Sequence, residues 1–171
     1  MRVRCFVALG ANLGDPVATV KAALDALASV PDAKLIGASS LYRTAPVGLK
    51  HQPDFINAVA ALDVDSAVLP APTFLSRLFA IEAHFGRQRS VPNAPRTLDL
   101  DLLLYGDMVS DEASCVLPHP RMHQRAFVLA PLAELAPELI IAGQGVVREL
   151  LITCADQAIQ RIDGSLDRFI G

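Results

Sequence analysis

The sequence predicts an α+β fold, with helices on one face of a mainly antiparallel sheet, and three stretches carry that expectation. The first is Arg96-Thr97-Leu98-Asp99-Leu100-Asp101-Leu102-Leu103-Leu104-Tyr105, which alternates and then turns almost wholly apolar. Side chains along a strand point to opposite faces in turn. Thr97, Asp99 and Asp101 therefore share one face, and Leu98, Leu100, Leu102 and Leu104 the other. The second is the recurrence of Val17, Val20, Leu24 and Leu27 at helical spacing behind Asp15-Pro16, an N-cap followed by proline at the first helical position. The third is 54–64, where Phe55, Asn57, Val59 and Ala61 alternate with Ile56, Ala58, Ala60 and Leu62.

Taken in order, 3–9 reads as a buried strand, 10–15 as a turn, and the first helix runs to Val30-Pro31. A second strand is expected over 34–43, then a loop over 44–53 and the strand 54–64. A helix over 73–85, closed by Gly86, leads through the polar loop 87–95 into the aspartate strand. Beyond the turn at Tyr105-Gly106-Asp107, a short helix at 121–124 follows Leu117-Pro118-His119-Pro120. The apolar run 127–135 reads as mostly helical, interrupted at Pro131. A helix over 146–155 and a last strand over 158–162 complete the chain. The order gives a ferredoxin-like βαββαβ core with extra C-terminal elements and leaves the other side of the sheet for an active site.

Composition narrows the function classes. The chain has 171 residues, 52% hydrophobic, with a net charge of −3, which fits one domain spanning 1–171. Nucleic-acid binding normally leaves a basic footprint, so no nucleic-acid partner is expected. The N-terminal apolar run is too short for a signal peptide and no segment is long enough to span a bilayer. A cytoplasmic monomer with no membrane partner is expected. Cys5, Cys115 and Cys154 are far apart in sequence and form no metal or redox motif, as suits reduced thiols.

Two aspartates on one strand face are the anomaly that needs chemistry. Like charges two residues apart repel unless something positive lies between them, and the usual remedy is a hard divalent cation. They could also simply face solvent from a half-exposed sheet. Their company favours the cation: Arg87, Arg89 and Arg96 precede them, and His119, Arg121, His123 and Arg125 follow, which suggests a phosphate-bearing ligand held by metal and arginine together. Asn57 in a strand also needs a reason, either a bond to neighbouring backbone or a ligand contact beside Phe55. The basic loop 87–95 hangs over the carboxylates, either as a lid or as a plain solvated connection.

Four blocks give these residues a family likeness: Gly10-Ala11-Asn12-Leu13-Gly14; Tyr42-Arg43-Thr44 with Gln52-Pro53-Asp54-Phe55-Ile56-Asn57-Ala58; Pro95-Arg96-Thr97-Leu98-Asp99-Leu100-Asp101; and Pro118-His119-Pro120-Arg121-Met122 with Arg125 and Phe127. The chain resembles the 6-hydroxymethyl-7,8-dihydropterin pyrophosphokinases, folate-pathway enzymes that transfer pyrophosphate from ATP to a pterin alcohol. The likeness fades over the last twenty residues. It implies that Asp99 and Asp101 hold two Mg2+ ions and that Arg87 and Arg96 share in catalysis. It places Glu82, Arg87, Arg89, Arg96, Leu102, His119 and Arg125 around ATP and the transferred group, and Thr44, Ala45, Val47, Phe55, Asn57 and Phe127 around the pterin. A flat heterocycle wants aromatic faces and an amide for its polar edge, which suits Phe55, Phe127 and Asn57. Asn93 departs from the family, many of whose members carry a bulky aromatic there, and the loop is about one residue short of the usual length.

Two other protein classes share parts of this pattern. A metal-dependent phosphodiesterase or nuclease would also want paired aspartates but normally recruits further ligands. An RNA-binding module shares the core topology, yet it would show paired aromatics and a basic charge on the open face.

Overall fold

Strand β1 (Arg2–Ala11) is the spine of the molecule, hydrogen-bonded along its length on both edges. The computed structural model describes residues 1–46, 52–86 and 97–162. In chain order β1 is followed by helix α1 (Pro16–Ala28), strands β2 (Ala33–Ala38), β3 (Leu41–Thr44) and β4 (Phe55–Asp65), helix α2 (Ala71–His84) and strand β5 (Asp99–Tyr105). A 3-10 turn (Met122–Gln124) then opens into α3 (Ala126–Leu135), the two-residue strands β6 (Ile140–Ile141) and β7 (Gly145–Val146), α4 (Val147–Thr153) and β8 (Ile159–Ile162). The main sheet runs β5-β1-β4-β3-β8, with β2 also on β4, and every pairing given for it is antiparallel.

Helices α1 and α2 share one face of the sheet, in an element order of βαβββαβ because 34–43 forms two strands. Val20, Ala23, Leu24 and Leu27 of α1 and Phe74 and Leu78 of α2 bury against Cys5, Val7, Leu9, Ile56, Ala58, Leu62, Leu98, Leu100 and Leu102. Each buried Val, Leu, Ile or Phe among them stabilises the fold by roughly 1.5–3 kcal/mol. Asp15 caps α1 as its sequence implies, its Oδ1 accepting the Ala18 amide at 3.1 Å. Helix α2 begins at Ala71, two residues before the expected start, because Pro72 fits the first turn. Gly86, at φ 83°, closes the turn after it.

The C-terminal elements cover part of the second face. Helix α3 is apolar nearly all round, with Ala126, Val128, Leu129, Ala130, Pro131 and Leu132 buried, so it needs a partner surface on most sides. It finds one on Phe6, Val59, Ala61, Leu103 and Leu104, with Val147 of α4 alongside. The helix continues through Pro131 instead of breaking there. Only the carbonyl of Phe127, four residues earlier, loses its usual donor.

Two strands depart from their expected form. The stretch 34–43 is not one strand, because it breaks at Ser39-Ser40. The Ser39 amide donates to Val59 O at 2.9 Å and its Oγ accepts the Val59 amide at 2.9 Å, while the Ser40 amide turns to the carboxylate of Glu134. In β5, register slips between Phe6 and Val7, so Leu103 and Leu104 both join the second core while Tyr105 returns to the first. Leu104 therefore lies on the face opposite to the one simple alternation gives it. Cys5, Cys115 and Cys154 are free and buried, and burial pushes the Cys5 thiol up to about 12.

Glu134 ties α3 to the sheet. Its carboxylate accepts from Ser40 Oγ at 2.8 Å and from the Tyr42 hydroxyl at 2.6 Å, and it lies 3.4 Å from the Arg161 guanidinium. Burial, then the bond to Glu134, raises the Tyr42 phenol above its ordinary range and keeps it a donor. Glu134→Ala should therefore cost about 1–3 kcal/mol, the penalty for stranding partly buried donors. Urea unfolding checks this, with a lower midpoint expected at an unchanged m-value.

Candidate active site

On the face opposite α1 and α2, one end of the sheet stays open and forms the floor of a cavity of about 460 Å³. The strand register sets what stands on that floor. Asp99 of β5 pairs with Gly10 of β1, Gly10 with Asn57 of β4, and Asn57 with Tyr42 of β3. One row along, Asp101 pairs with Ala8, and Ala8 with Val59. The two carboxylates thus stand across β1 from the amide, about 10 Å away at the backbone, two strand spacings. The small residues Gly10 and Ala8 form a trough between them.

Gly10 lets Asn57 approach closely. A Cβ at this position would meet Asn57 Oδ1 at 3.2 Å, tighter than ordinary contact. The expected turn therefore begins two residues later than the sequence suggests, since Gly10 and Ala11 still belong to β1. Asn57 is buried, and its Nδ2 donates to Thr44 Oγ1 at 2.8 Å. Its partner is thus a side chain that also lines the cavity, not neighbouring backbone. Asn12, buried just beyond the trough, donates to Gln52 Oε1 at 2.7 Å and Pro53 O at 3.1 Å. That bond joins the first two motif blocks and anchors the chain entering Phe55.

The roof comes from the 3-10 turn and α3. Arg121, Gln124, Arg125 and Phe127 face the cavity, and the Arg125 guanidinium lies 5.5 Å from the centre of the Phe127 ring, within cation–π range. Arginines above and carboxylates below make the cavity bipolar at one end. Its other end, at Phe55, Asn57 and Thr44, is uncharged.

His119 does not add to the cations. Burial, with the positive charges of Arg125 and Arg121, lowers its pKa to about 4 against the opposing pull of Asp99. It is neutral at neutral pH, and its Nδ1 accepts the Arg121 amide at 3.2 Å. Sequence alone counts His119 among the positive groups; its surroundings remove it.

The structure brings Thr44, Ala45, Phe55, Asn57, Asp99, Asp101, Arg125 and Phe127 to the cavity wall. Glu82 and Leu102 are buried on the helix-covered side of β5. Glu82 nevertheless acts on the site, because its Oε2 accepts the amide of Leu100, the residue between the two aspartates, at 2.7 Å. Val47, Arg87, Arg89, Arg96, Asn93 and the expected lid 87–95 lie outside the described residues. Arg121, Gln124 and Gln157 also line the cavity and were not among the expected site residues. Arg121 was legible as part of the basic cluster, whereas nothing in the sequence marks Gln124 or Gln157.

Asp99 and Asp101 project oxygen donors from one strand face, their backbones about 7 Å apart. Among the described residues no group of three His, Cys, Asp or Glu side chains is placed to hold a metal. Two carboxylates beside a space for ligand oxygens are the donor set a magnesium ion takes when phosphates complete its shell.

Fold and cavity together define a class: an α+β domain whose open sheet face carries a cleft with an uncharged end at Phe55, Asn57 and Thr44 and a charged end at Asp99, Asp101, Arg121 and Arg125. The comparisons narrow it. The model of the 7,8-dihydro-6-hydroxymethylpterin-pyrophosphokinase (HPPK) family matches residues 6–137, and the chain belongs to that family. It is 44% identical over 162 residues to the 2-amino-4-hydroxy-6-hydroxymethyldihydropteridine pyrophosphokinase of Pseudomonas aeruginosa, covering 95% of this chain and 98% of that one. The enzyme of the same name from Methylorubrum extorquens is 41% identical over 94% of this chain and 99% of its own. Among solved structures, a Plasmodium falciparum HPPK-DHPS chain aligns with a TM-score of 0.66 at 13% identity, covering 90% of this chain and 45% of that one. At that identity the likeness speaks for the fold alone.

Proposed function

We propose that this protein transfers pyrophosphate from ATP to 6-hydroxymethyl-7,8-dihydropterin, giving AMP and the pterin diphosphate for folate synthesis. The observation that carries the reading is the placement of Asp99 and Asp101 across β1 from Asn57, in one cavity, in a chain of this family. In this reading the pterin lies between Phe55 and Phe127 with its amide edge on Asn57 and Thr44, beside Ala45, and the family likeness adds Val47 to its contacts. Its hydroxymethyl arm then points along the trough toward the aspartates.

Asp99 and Asp101 would hold two magnesium ions, which supply charge neutralisation along the triphosphate. Arg121 and Arg125, with Arg87, Arg89 and Arg96 of the basic segment, donate charge-assisted hydrogen bonds to phosphoryl oxygens. Neutral His119 keeps the Arg121 backbone in place and adds no repulsion to those arginines. Glu82, by gripping the Leu100 amide, fixes the strand from which both aspartates project. The work of these residues is positioning and electrostatic stabilisation, which is what phosphoryl-type transfer asks of a protein.

One domain, a monomer and a cytoplasmic location complete the reading. No described helix is long and apolar enough to cross a membrane. The test is to incubate protein, magnesium, ATP and the pterin and to separate the nucleotides. Pterin-dependent AMP is expected; pterin-dependent ADP would overturn the reading.

A further inference from the structure

Arg125 and Phe127, the two roof residues, flank Ala126, the first residue of α3. Their backbone is unusual. Arg125 is a single extended residue (φ −121°, ψ 110°) between a 3-10 turn and a helix, and it offers no side chain to cap that helix. A helix start without a cap leaves amides unsatisfied and is free to fray. Here the cap comes from a distant part of the chain. Gln157 Oε1 accepts the Ala126 amide at 2.9 Å, and Gln157 Nε2 donates to the Gln124 carbonyl at 2.8 Å. One side-chain amide therefore bridges the residues on either side of Arg125.

Gln157 is itself held at both ends. Its own amide donates to the carbonyl of Cys154, which is buried in the second core, at 3.0 Å. Two residues later Ile159 enters β8 and pairs with Thr44, the hydrogen-bond partner of Asn57. The segment 154–159 thus links the amide end of the cavity to its roof. All of it lies beyond residue 137, where the family match ends.

We infer that Gln157 is a positioning residue for the transfer reaction, fixing the Arg125–Phe127 pair over the cavity by clamping the backbone on both sides of Arg125. The inference rests on the pyrophosphokinase reading. Gln157 acts through the pair, so its loss lets the Phe127 ring and the Arg125 guanidinium drift together while the sheet beneath is untouched. A near-isosteric Gln157→Leu removes both hydrogen bonds. Gln157→Glu keeps an acceptor for the Ala126 amide and loses the donor to Gln124.

The experiment compares wild type, Gln157→Leu and Gln157→Glu in pterin affinity by calorimetry, steady-state turnover, melting temperature and hydrogen exchange at Ala126. For Gln157→Leu the expected result is pterin binding weakened about fivefold to tenfold, the scale of one or two lost hydrogen bonds. The Ala126 amide should exchange faster, with the melting temperature lowered by only about 2–4 °C, the shift that a lost hydrogen bond gives a chain of this size. Gln157→Glu should fall between the two, with Ala126 still protected. Unchanged pterin affinity and turnover in Gln157→Leu, or an unchanged Ala126 amide, would overturn the inference alone while wild type still forms AMP. Parallel losses in melting temperature, ATP affinity and pterin affinity would make Gln157 a fold-stabilising residue and also overturn it. A wild type that forms no AMP overturns the underlying reading, and the inference with it.

Discussion

Asp101→Ala, and equally Asp99→Ala, should abolish turnover in a protein that still folds. Both carboxylates are only partly buried and project into the cavity, while Leu98, Leu100 and Leu102 of the same stretch carry its core packing on the opposite face. Truncating either aspartate removes charge from the site and almost nothing from the core. Several kcal/mol of transition-state stabilisation are at stake when a metal clamp loses a ligand, which corresponds to about 10³-fold or more in rate. Folding stability should change little beside that, because the leucine face of the strand stays packed. Turnover at saturating magnesium, measured beside thermal melts, separates these effects. Near-wild-type rates in either variant would sink the metal assignment, and a collapsed melting temperature would show that the aspartate is structural.

How far the sequence could be read follows from where each determinant lies. The aspartate strand, the α1 cap at Asp15-Pro16 and the dyad pattern of β4 are local signals, and the structure reproduces them. Features set by distant partners were not legible. Ser39 and Ser40 look like ordinary strand residues; the break arises because Glu134, 94 residues on, competes for the Ser40 amide. The slip that turns Leu104 to the second face is a property of two strands together. His119 reads as a potential cation until the Arg121 and Arg125 charges and its burial are known. Gln157 sits in a stretch with no motif, and only the fold brings its amide to the start of α3. Gly10 reads as turn punctuation, whereas the structure places it inside β1, where a side chain would crowd Asn57 on the neighbouring strand.

That approach makes Asn57 the residue whose loss should most selectively disable pterin recognition. Its side chain is buried in the cavity wall, fixed by Thr44 on one side and by the bare backbone of Gly10 on the other. A preorganised amide of this kind can satisfy the donor and acceptor edge of a pterin without reorganising first. Asn57→Ala leaves the ligand's polar edge unpaired in a largely dry pocket, at a cost of roughly 1–3 kcal/mol, or about 5-fold to 150-fold in affinity. ATP binding should hardly change, because Asp99 and Asp101, the carboxylates assigned to the metal and the triphosphate, stand across β1 from Asn57. Thr44→Val, which keeps the amide but frees its orientation, should give a smaller loss of the same kind. Calorimetry with each ligand separately is the measurement. Equal losses for pterin and ATP would show that Asn57 merely braces the sheet, and an unchanged pterin affinity would place the ring elsewhere in the cavity.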